Sequence, residues 1–278
     1  EPKRKAFFRI RTKSDFEKMK MWMWSEQQRS SSSSSPLRLP LLQFLIQSAQ
    51  ELKVAPIVKY AALSLFFDRF YPSLSRFTQG DDTANWLLQP IRESNLQLFA
   101  LISIWVSSKI HDSRPLSVKS LKSLGDKTIT EQHFTTRDFV EAEVVLLQVL
   151  NFEIGTANNA FVFLEELYFQ FKEVAKLGEV LNFEACIDIM DLLYERDETS
   201  VLYSSPCSLA ASVLVASYVI TVPKQRQEFP VLPWVKFVTS FKEEDIIEIV
   251  TDILKHVFEP SWLLQSRQML FSPSKVLL

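Results

Sequence analysis

Apolar residues recur at helical spacing through the first half of the chain and predict amphipathic helices. One such face is formed, at steps of four, four and three residues, by Leu41, Leu45, Ala49 and Leu52. Because Pro40 has no amide hydrogen, we expect the regular helix to begin at Leu39 or Pro40, with Arg38 in the turn before it. The pattern therefore predicts a first helix over most of residues 37–54.

Two further segments are apolar on every side and predict buried central helices. They lie at 94–110 and 208–221, and in both the apolar residues cover the whole circumference of a helix. Amphipathic helices are predicted around the first at 37–54, 56–70 and 139–150, and around the second at 161–171, 182–195 and 245–258. Each central helix is therefore expected to be wrapped by its amphipathic neighbours.

The two central helices lie about 110 residues apart and divide the chain into two similar halves. This spacing predicts an all-α protein with two stacked helical domains of about five helices each, at residues 36–155 and 156–258. No strand pattern competes with these helices. An array of helical repeats would give a similar pattern and stays open at this point.

The two ends of the chain differ in composition from the helical body. Residues 1–35 carry nine Lys or Arg against four Asp or Glu and end in six consecutive serines. Such a composition buries little apolar surface, so we predict a basic, serine-rich tail that could contain a short helix at Met19–Trp24. Residues 259–278 are predicted to form a second tail.

Composition argues against several kinds of partner and site. The net charge is −2 over 278 residues, so no overall positive field holds a phosphate backbone, and we expect no nucleic-acid binding. Only four glycines occur, so no glycine-rich phosphate loop can be written. The longest apolar stretches fall short of the ~20 residues that a membrane span needs, so no membrane association is expected.

The cysteines and histidines form no recognisable chemical site. Cys186 and Cys207 lie 21 residues apart without a Cys-x-x-Cys pair, which is typical of a protein from a reducing compartment. The histidines, His111, His133 and His256, have no Cys, Asp or Glu at metal-ligand or triad spacing. We therefore predict no catalytic residue, metal ligand or cofactor, and no enzymatic activity.

Five residues in the predicted helices match a known family pattern. Arg38 lies at the entry of the first helix, Asp68 lies in an Asp-Arg-Phe sequence, and Leu98 lies in the first central helix. Lys109 closes that helix, and Glu143 follows 34 residues later beside another apolar stripe. With the segments LRLPLLQFL (37–45) and QVLNFEI (148–154), they resemble the cyclin box. The likeness to the small J-type cyclins of plants extends over about four fifths of the chain.

The cyclin resemblance implies a regulatory subunit that forms a heterodimer with a cyclin-dependent protein kinase and activates it, in cell-cycle or transcriptional control. In this family the residues matched by Lys109 and Glu143 hold the backbone of the kinase. We expect Phe152 and Ile154, at the end of the first box, to supply apolar contacts beside them. A protein of this kind is expected in the nucleus, the cytoplasm or both.

The resemblance also implies structural roles and a docking groove. Arg38 and Asp68 are expected to form a partly buried ion pair between the first two helices, and Leu98 to lie in the core of the box. Substrate or inhibitor peptides would dock in a shallow apolar groove lined by Leu37, Leu41, Phe44, Gln47 and Gln97. Because Gln47 stands where many cyclins have an acidic residue, this groove is expected to discriminate poorly in favour of basic peptides.

Two serines in the tails match the Ser-Pro-x-Lys/Arg pattern that cyclin-dependent kinases prefer. They are Ser35 and Ser272, and each is a candidate phosphorylation site, although four-residue patterns recur by chance in serine-rich tails.

The long connection expected over residues 71–94 is either a contact surface or a loop whose Trp86 covers the core.

Two other classes of function stay open beside kinase activation. A transcription factor or scaffold with the same double helical fold would act without a kinase, and a basic surface would favour it. An α-solenoid adaptor would need further repeats at a fixed period, which the sequence does not show.

Overall fold

A computed structural model of the chain describes residues 37–77, 85–155, 159–175, 181–194, 205–223 and 229–258. Regular structure in these residues is helical. The first domain contains α1 (Arg38–Glu51), α2 (Pro56–Leu63), a π-helical segment (Ser64–Phe70), α3 (Tyr71–Phe77), α4 (Glu93–His111), α5 (Val118–Thr128) and α6 (Thr136–Val149). The second contains α7 (Ala160–Ala175), α8 (Phe183–Tyr194), α9 (Pro206–Thr221), α10 (Val231–Thr239) and α11 (Glu243–Phe258).

Helix α4 forms the centre of the first domain. Its residues from Ser94 to Ser108 are buried, apart from Gln97, and Leu98 is fully buried. Helices α1, α2 and α6 pack against it and cover its circumference. The predicted central helix at 94–110 is therefore confirmed, because its apolar residues on all sides are matched by neighbours on all sides.

Helix α9 plays the same part in the second domain. All its residues from Leu209 to Tyr218 are buried, and α7, α8, α10 and α11 pack against it. Ser205 caps its start by accepting a hydrogen bond from the amide of Ser208 at 3.3 Å. The prediction of an all-α fold with two stacked helical domains is thereby confirmed.

Helix α1 begins at Arg38, one or two residues before the predicted start. Pro40 lies in its first turn, where amide groups have no acceptor within the helix, so the missing N–H removes no hydrogen bond. Arg38 is therefore the first helical residue and not part of the preceding turn.

The second predicted helix continues beyond its expected end. The sequence predicts that it stops at Phe70, but the chain runs on through the π-helical segment into α3. In an α-helix the ring of Pro72 would clash with the carbonyl of Asp68, and the wider π-helical turn lies at this point. The connection expected over 71–94 is therefore shorter than predicted, and residues 78–84 lie outside the described residues.

Leu87 and Leu88 anchor the connection that precedes α4. Both are buried, and Asn95 Nδ2 donates a hydrogen bond to the Leu87 carbonyl at 2.7 Å. Trp86 is 44% exposed, and its ring centroid lies 6.5 Å from that of Phe134. The leucines, more than the tryptophan, therefore hold this connection to the core.

A polar cluster joins the two domains. Lys59 Nζ of α2 lies 2.8 and 2.7 Å from the two carboxylate oxygens of Asp191 of α8. The hydroxyl of Tyr60 donates to Asp191 Oδ1 at 2.7 Å, and the Tyr60 ring stacks on Phe161 of α7 with centroids 5.4 Å apart. Lys59 is 7% exposed and Tyr60 is fully buried, so the cluster is part of the domain contact. No local pattern in the sequence marks this cluster.

Candidate functional site

Lys109 and Glu143 meet at the surface of the first domain. Lys109 lies in the last turn of α4 and Glu143 lies on α6, and Lys109 Nζ is 2.6 Å from Glu143 Oε1. Lys109 Nζ also lies 3.6 Å from the centroid of the Trp105 ring, in a cation–π contact. The two side chains are 39% and 18% exposed, so the pair is accessible to a partner although each charge is already satisfied within the chain.

Exposed apolar side chains lie close in sequence to this ion pair. Val140 lies one turn before Glu143 on the same side of α6, while Ile110 and Val144 directly follow Lys109 and Glu143 and so point to a neighbouring side of each helix. These three side chains are 45–48% exposed. The sequence did not single them out, although their position beside predicted site residues and outside the buried helix faces was a usable signal. Exposed apolar groups on the same helices as an accessible charged pair are typical of a protein-binding surface.

Phe152 and Ile154 lie in the turn that follows α6. Asn151 and Phe152 both adopt left-handed backbone conformations, with φ of 51° and 58°. The amide of Phe152 donates to the Leu147 carbonyl at 2.7 Å and closes the end of the helix. The Phe152 side chain is 65% exposed, whereas Ile154 is half-buried. The turn therefore presents a large apolar side chain to solvent.

A cleft with a volume of about 230 Å³ opens beside Ile154, between the two domains. Its apolar lining includes Ile57, Leu65, Ile110, Ile154 and Phe163. Arg69 also lines it, and Arg69 Nη2 donates a hydrogen bond to the Glu153 carbonyl. Ile110, which follows Lys109 in the sequence, therefore lies in this cleft together with Ile154. We use the name Lys109 face for Lys109, Glu143, Ile110, Val140, Val144, Phe152 and Ile154.

Arg38 and Asp68 lie close enough for the charge of the arginine to act on the aspartate. Desolvation by the surrounding protein raises the pKa of Asp68, while a hydrogen bond from Ser64 and the charge of Arg38 lower it by less. The Arg38 guanidinium lies 5.4 Å from the centroid of the Phe67 ring. Arg38 is half-buried, and the Asp68 carboxyl group is desolvated although the residue as a whole is exposed. The partly buried ion pair between them stays a prediction.

The predicted docking groove is only partly at the surface. The positions that solvent reaches are Leu37, Phe44, Gln47 and Gln97. Leu41 is fully buried, so the prediction that it lines the groove is wrong. The residue belongs to the core face of α1 that it shares with Leu45, which is also fully buried.

The remaining predicted sites are either undescribed or inert. Ser35 and Ser272, like the tails that contain them, lie outside the described residues, so their phosphorylation stays a prediction. Cys186 and Cys207 are free thiols, and burial raises the pKa of Cys186 to about 11.

Within the described ranges, no group of His, Cys, Asp and Glu could hold a metal ion. In the same part of the chain, no helix has both the length and the apolar character to cross a membrane.

Comparison with known proteins agrees with this architecture. The family model described as "Cyclin, N-terminal domain" matches residues 6–155. Cyclin-J18 of Arabidopsis thaliana is 64% identical over 221 residues, which cover 80% of this chain and 94% of that protein. Cyclin-J18-like of Oryza sativa subsp. japonica is 52% identical over 226 residues, which cover 79% of this chain and 87% of that protein.

A solved structure shares the fold at much lower identity. The X-ray structure of a viral cyclin from herpesvirus saimiri matches with a TM-score of 0.58 and 18% identity, over 80% of this chain and 85% of that chain. At this identity the match supports the fold alone. The family model covers more than half of the chain, and the match to Cyclin-J18 extends through both helical domains. The chain therefore belongs to the cyclin family.

Proposed function

We propose that this cyclin binds a cyclin-dependent protein kinase as a heterodimer and activates it. The observation that carries the proposal is the accessible Lys109–Glu143 pair among exposed apolar side chains. The Lys109 ammonium can donate to backbone carbonyls of a partner, and the Glu143 carboxylate can accept from backbone amides. Together they would hold the main chain of a partner helix without requiring particular side chains from it.

The free-energy balance of such an exchange favours binding. In the free chain Lys109 and Glu143 bind each other, and an exposed ion pair of this kind contributes about 0–1 kcal/mol. Complete burial of one large apolar side chain contributes roughly 1.5–3 kcal/mol. Phe152 and Ile110 are 65% and 45% exposed, so a partner that covers both would gain more than the ion pair loses. The apolar contacts would supply affinity, and the charged pair would fix the orientation.

Activation would follow from differential binding and not from a catalytic group of this chain. The family resemblance supports a mechanism in which the docked kinase helix rotates inward, so that its glutamate meets the lysine that orients ATP. A partner that binds this conformation better than the inactive one shifts the kinase toward it. The role of the Lys109 face is then to favour the active conformation.

Substitution of the ion pair tests the proposal directly. A panel of cyclin-dependent kinases identifies the partner by co-purification with the wild-type chain, and a phosphorylation assay measures activation. Lys109→Ala and Glu143→Ala should then weaken binding to that kinase by roughly 2–5 kcal/mol, a loss of tens- to thousands-fold. Thermal unfolding of Glu143→Ala should be almost unchanged, because it leaves only the exposed Lys109 without its partner, whereas Lys109→Ala leaves the less exposed Glu143 unpaired and should be slightly less stable. Lys122→Ala is the matched control, since Lys122 forms an ion pair with Asp126 within α5.

Apolar substitutions test the second half of the surface. Phe152→Ala should weaken kinase binding, whereas Phe237→Ala, which removes an 84% exposed phenylalanine from α10, should not. A well-folded Lys109→Ala/Glu143→Ala double variant with unchanged kinase affinity would contradict the proposal. That result would favour a cyclin-fold transcription factor or scaffold that acts without a kinase.

We propose that substrate docking in the groove on α1 is weak. Gln47 is exposed and uncharged, and its Nε2 lies 3.5 Å from Oε1 of Glu51, one turn away. Glu51 is already paired with Lys127 at 2.9 Å, so it would offer an incoming arginine little free charge. Gln47→Glu should therefore tighten binding of an Arg-x-Leu peptide. Titration with that peptide and its Ala-x-Leu control measures the change, and equal affinities for wild type and variant would end this argument.

The location and modification of the complex follow from the same proposal. An active complex is expected in the nucleus, the cytoplasm or both. In this complex the bound kinase would have two candidate phosphorylation sites on the cyclin itself, Ser35 and Ser272. Mass spectrometry of the purified active complex measures the phosphorylation of these serines. Two unmodified serines would remove phosphorylation from the proposal.

A further inference from the structure

The turn that carries Phe152 has an unfavourable backbone for its residues. Asn151 and Phe152 are consecutive and both left-handed, at φ of 51° and 58°. Asparagine tolerates this conformation, but a bulky residue such as phenylalanine adopts it rarely, because its Cβ is crowded by the backbone. The Phe152 side chain is 65% exposed, so burial within this chain offsets little of the cost. Backbone strain that the chain's own packing does not require is a sign of function.

Backbone hydrogen bonds hold the two sides of this turn. The amide of Phe152 donates to the Leu147 carbonyl at 2.7 Å, and the amide of Glu153 donates to the Leu150 carbonyl at 3.0 Å. The amide of Ile154 donates to the carbonyl of Phe152 itself at 3.0 Å. All of these bonds are local, so they do not fix the turn against the rest of the domain.

The Arg69 side chain provides a long-range tie. Its Nη2 donates to the Glu153 carbonyl, 84 residues away in the sequence, between Phe152 and Ile154. Arg69 comes from the π-helical segment and lines the cleft beside Ile154. A guanidinium that donates to a carbonyl forms a charge-assisted hydrogen bond, which is stronger than a neutral one. Arg69 therefore connects the second helical run of the box to the turn that presents Phe152.

We propose that Arg69 is a positioning residue for partner binding: it fixes the Glu153 carbonyl, and through it the left-handed turn, so that Phe152 is presented to the partner in one conformation. This inference rests on the proposed kinase-binding role of the Lys109 face. Arg69 itself need not touch the partner. Its effect is pre-organisation, since the apparent affinity falls by the fraction of time that the turn spends in other conformations.

A double-mutant cycle separates this positioning role from a direct contact. Arg69→Met keeps most of the apolar stem, removes every donor, and should weaken binding to the kinase about tenfold, the scale of one charge-assisted hydrogen bond. If Arg69 acts through Phe152, adding Arg69→Met to Phe152→Ala should weaken binding by less than twofold further. In combination with Lys109→Ala, the two losses should multiply. Arg92→Met, at the other end of α4, is the control and should change nothing.

A conservative variant distinguishes hydrogen bonding from the packing of the arginine stem. Arg69→Lys, which keeps a charge and donors, should lose less affinity than Arg69→Met. Multiplicative losses of Arg69→Met and Phe152→Ala, or equal losses in Arg69→Lys and Arg69→Met, would overturn the proposal.

Hydrogen exchange in the free cyclin tests the inference without any kinase. Arg69→Met should raise the exchange rates of the Phe152 and Ile154 amides about tenfold and leave those of α9 unchanged. Unchanged rates at the turn would overturn the proposal. If the wild-type chain binds no cyclin-dependent kinase, the proposed function fails, and the exchange rates still decide whether Arg69 fixes the turn.

Discussion

Two lysine–carboxylate pairs in this cyclin have the same chemistry, but their lysines differ in exposure. Lys59 and Asp191 lie at the contact between the domains, where their side chains are 9% and 21% exposed. Lys109 and Glu143 lie at the surface of the first domain, with side chains 39% and 18% exposed, so the two carboxylates are about equally buried and the two lysines are not. The hydroxyl of Tyr60 completes the first pair, whereas exposed apolar side chains lie on the same two helices as the second.

The difference in the burial of the lysine decides what each pair contributes when the carboxylate is removed. When one member of a buried, hydrogen-bonded pair is removed, the other charge is left unpaired at a cost of about 3–5 kcal/mol. An exposed pair contributes about 0–1 kcal/mol and can exchange its members for a partner's groups at little cost. We infer that Lys59 and Asp191 serve the stability of the domain contact, while Lys109 and Glu143 contribute little to folding and stay accessible for binding.

The largest expected effect is that of removing the acceptor at the domain contact. Asp191→Ala should lower the free energy of unfolding by about 3–5 kcal/mol, because Lys59 is left buried without a counter-ion and Tyr60 loses its charged acceptor and keeps only the Ile187 carbonyl, at 3.2 Å. Urea denaturation followed by circular dichroism measures the loss. Glu143→Ala is the matched control and should lose about 1 kcal/mol or less. Equal losses in the two variants would show that the comparison is mistaken.

An apolar replacement of the same pair distinguishes charge pairing from packing. The double variant Lys59→Met/Asp191→Leu leaves no buried charge and roughly keeps the buried volume, so it should recover much of the stability that Asp191→Ala loses. Without such recovery, the loss in Asp191→Ala would have to come from disturbed packing between the domains and not from the unpaired ammonium of Lys59.

Charge exchange at the surface pair should separate binding from folding. The double variant Lys109→Glu/Glu143→Lys can re-form an ion pair in the free chain, so its free energy of unfolding should match wild type within about 1 kcal/mol. Its affinity for the kinase should stay weaker by roughly 2–5 kcal/mol, because donor and acceptor are exchanged with respect to the partner backbone. Isothermal titration of the purified kinase measures this. Restored affinity would indicate that only the intramolecular pair matters.

Alkaline pH should weaken the domain contact through Tyr60. Burial, and next the charge of Asp191, raise the pKa of Tyr60 far above its ordinary value of about 10. Below pH 10 this proton is bound in both folded and unfolded states, so it adds no pH dependence. Above pH 10 the unfolded state releases it first, and the free energy of unfolding should fall by up to about 1.4 kcal/mol per pH unit.

Tyr60→Phe tests this pH dependence. The variant should be less stable at pH 7, because it loses the hydroxyl bond to Asp191, but its stability should fall less steeply above pH 10. Burial also raises the pKa of Tyr194, so Tyr194→Phe should reduce the slope as well, although not independently, because the charges of Tyr60 and Tyr194 interact. Urea denaturation between pH 8 and pH 11 gives the slopes. The same slope in wild type and Tyr60→Phe would mean that the Tyr60 proton is not held by the fold.

The positions of the helices were largely predictable from the sequence. A helix that is apolar on every side can be recognised from local spacing alone, and the burial of Leu98 and Val213 agrees with this interpretation. The main error concerns the second helix, which is predicted to end at Phe70. Pro72 would clash with the carbonyl of Asp68 in an α-helix, but the π-helical segment accommodates it, and local rules do not predict where such a segment forms.

Contacts between distant residues were much less predictable. Lys59 and Asp191 are 132 residues apart, and a lysine on an amphipathic helix is usually solvated, so no local pattern marks it as buried. Lys109 and Glu143 were associated with each other only through the family resemblance. The same resemblance misplaced Leu41 in the groove, although the spacing that it shares with Leu45 already assigned it to the core face.

Ionic strength should produce the smallest effect and still distinguish the two pairs. At 1 M salt the screening length is about 3 Å, so the exposed Lys109–Glu143 pair should lose most of its contribution, while the buried Lys59–Asp191 pair is screened much less. The destabilisation caused by Glu143→Ala, about 1 kcal/mol or less in dilute buffer, should therefore approach zero in 1 M NaCl. That caused by Asp191→Ala should persist. Urea denaturation of wild type and both variants, with and without NaCl, measures how much stability each variant loses relative to wild type in each buffer. If salt reduced the two losses in the same proportion, both pairs would have to be equally open to solvent ions, contrary to the burial that separates them.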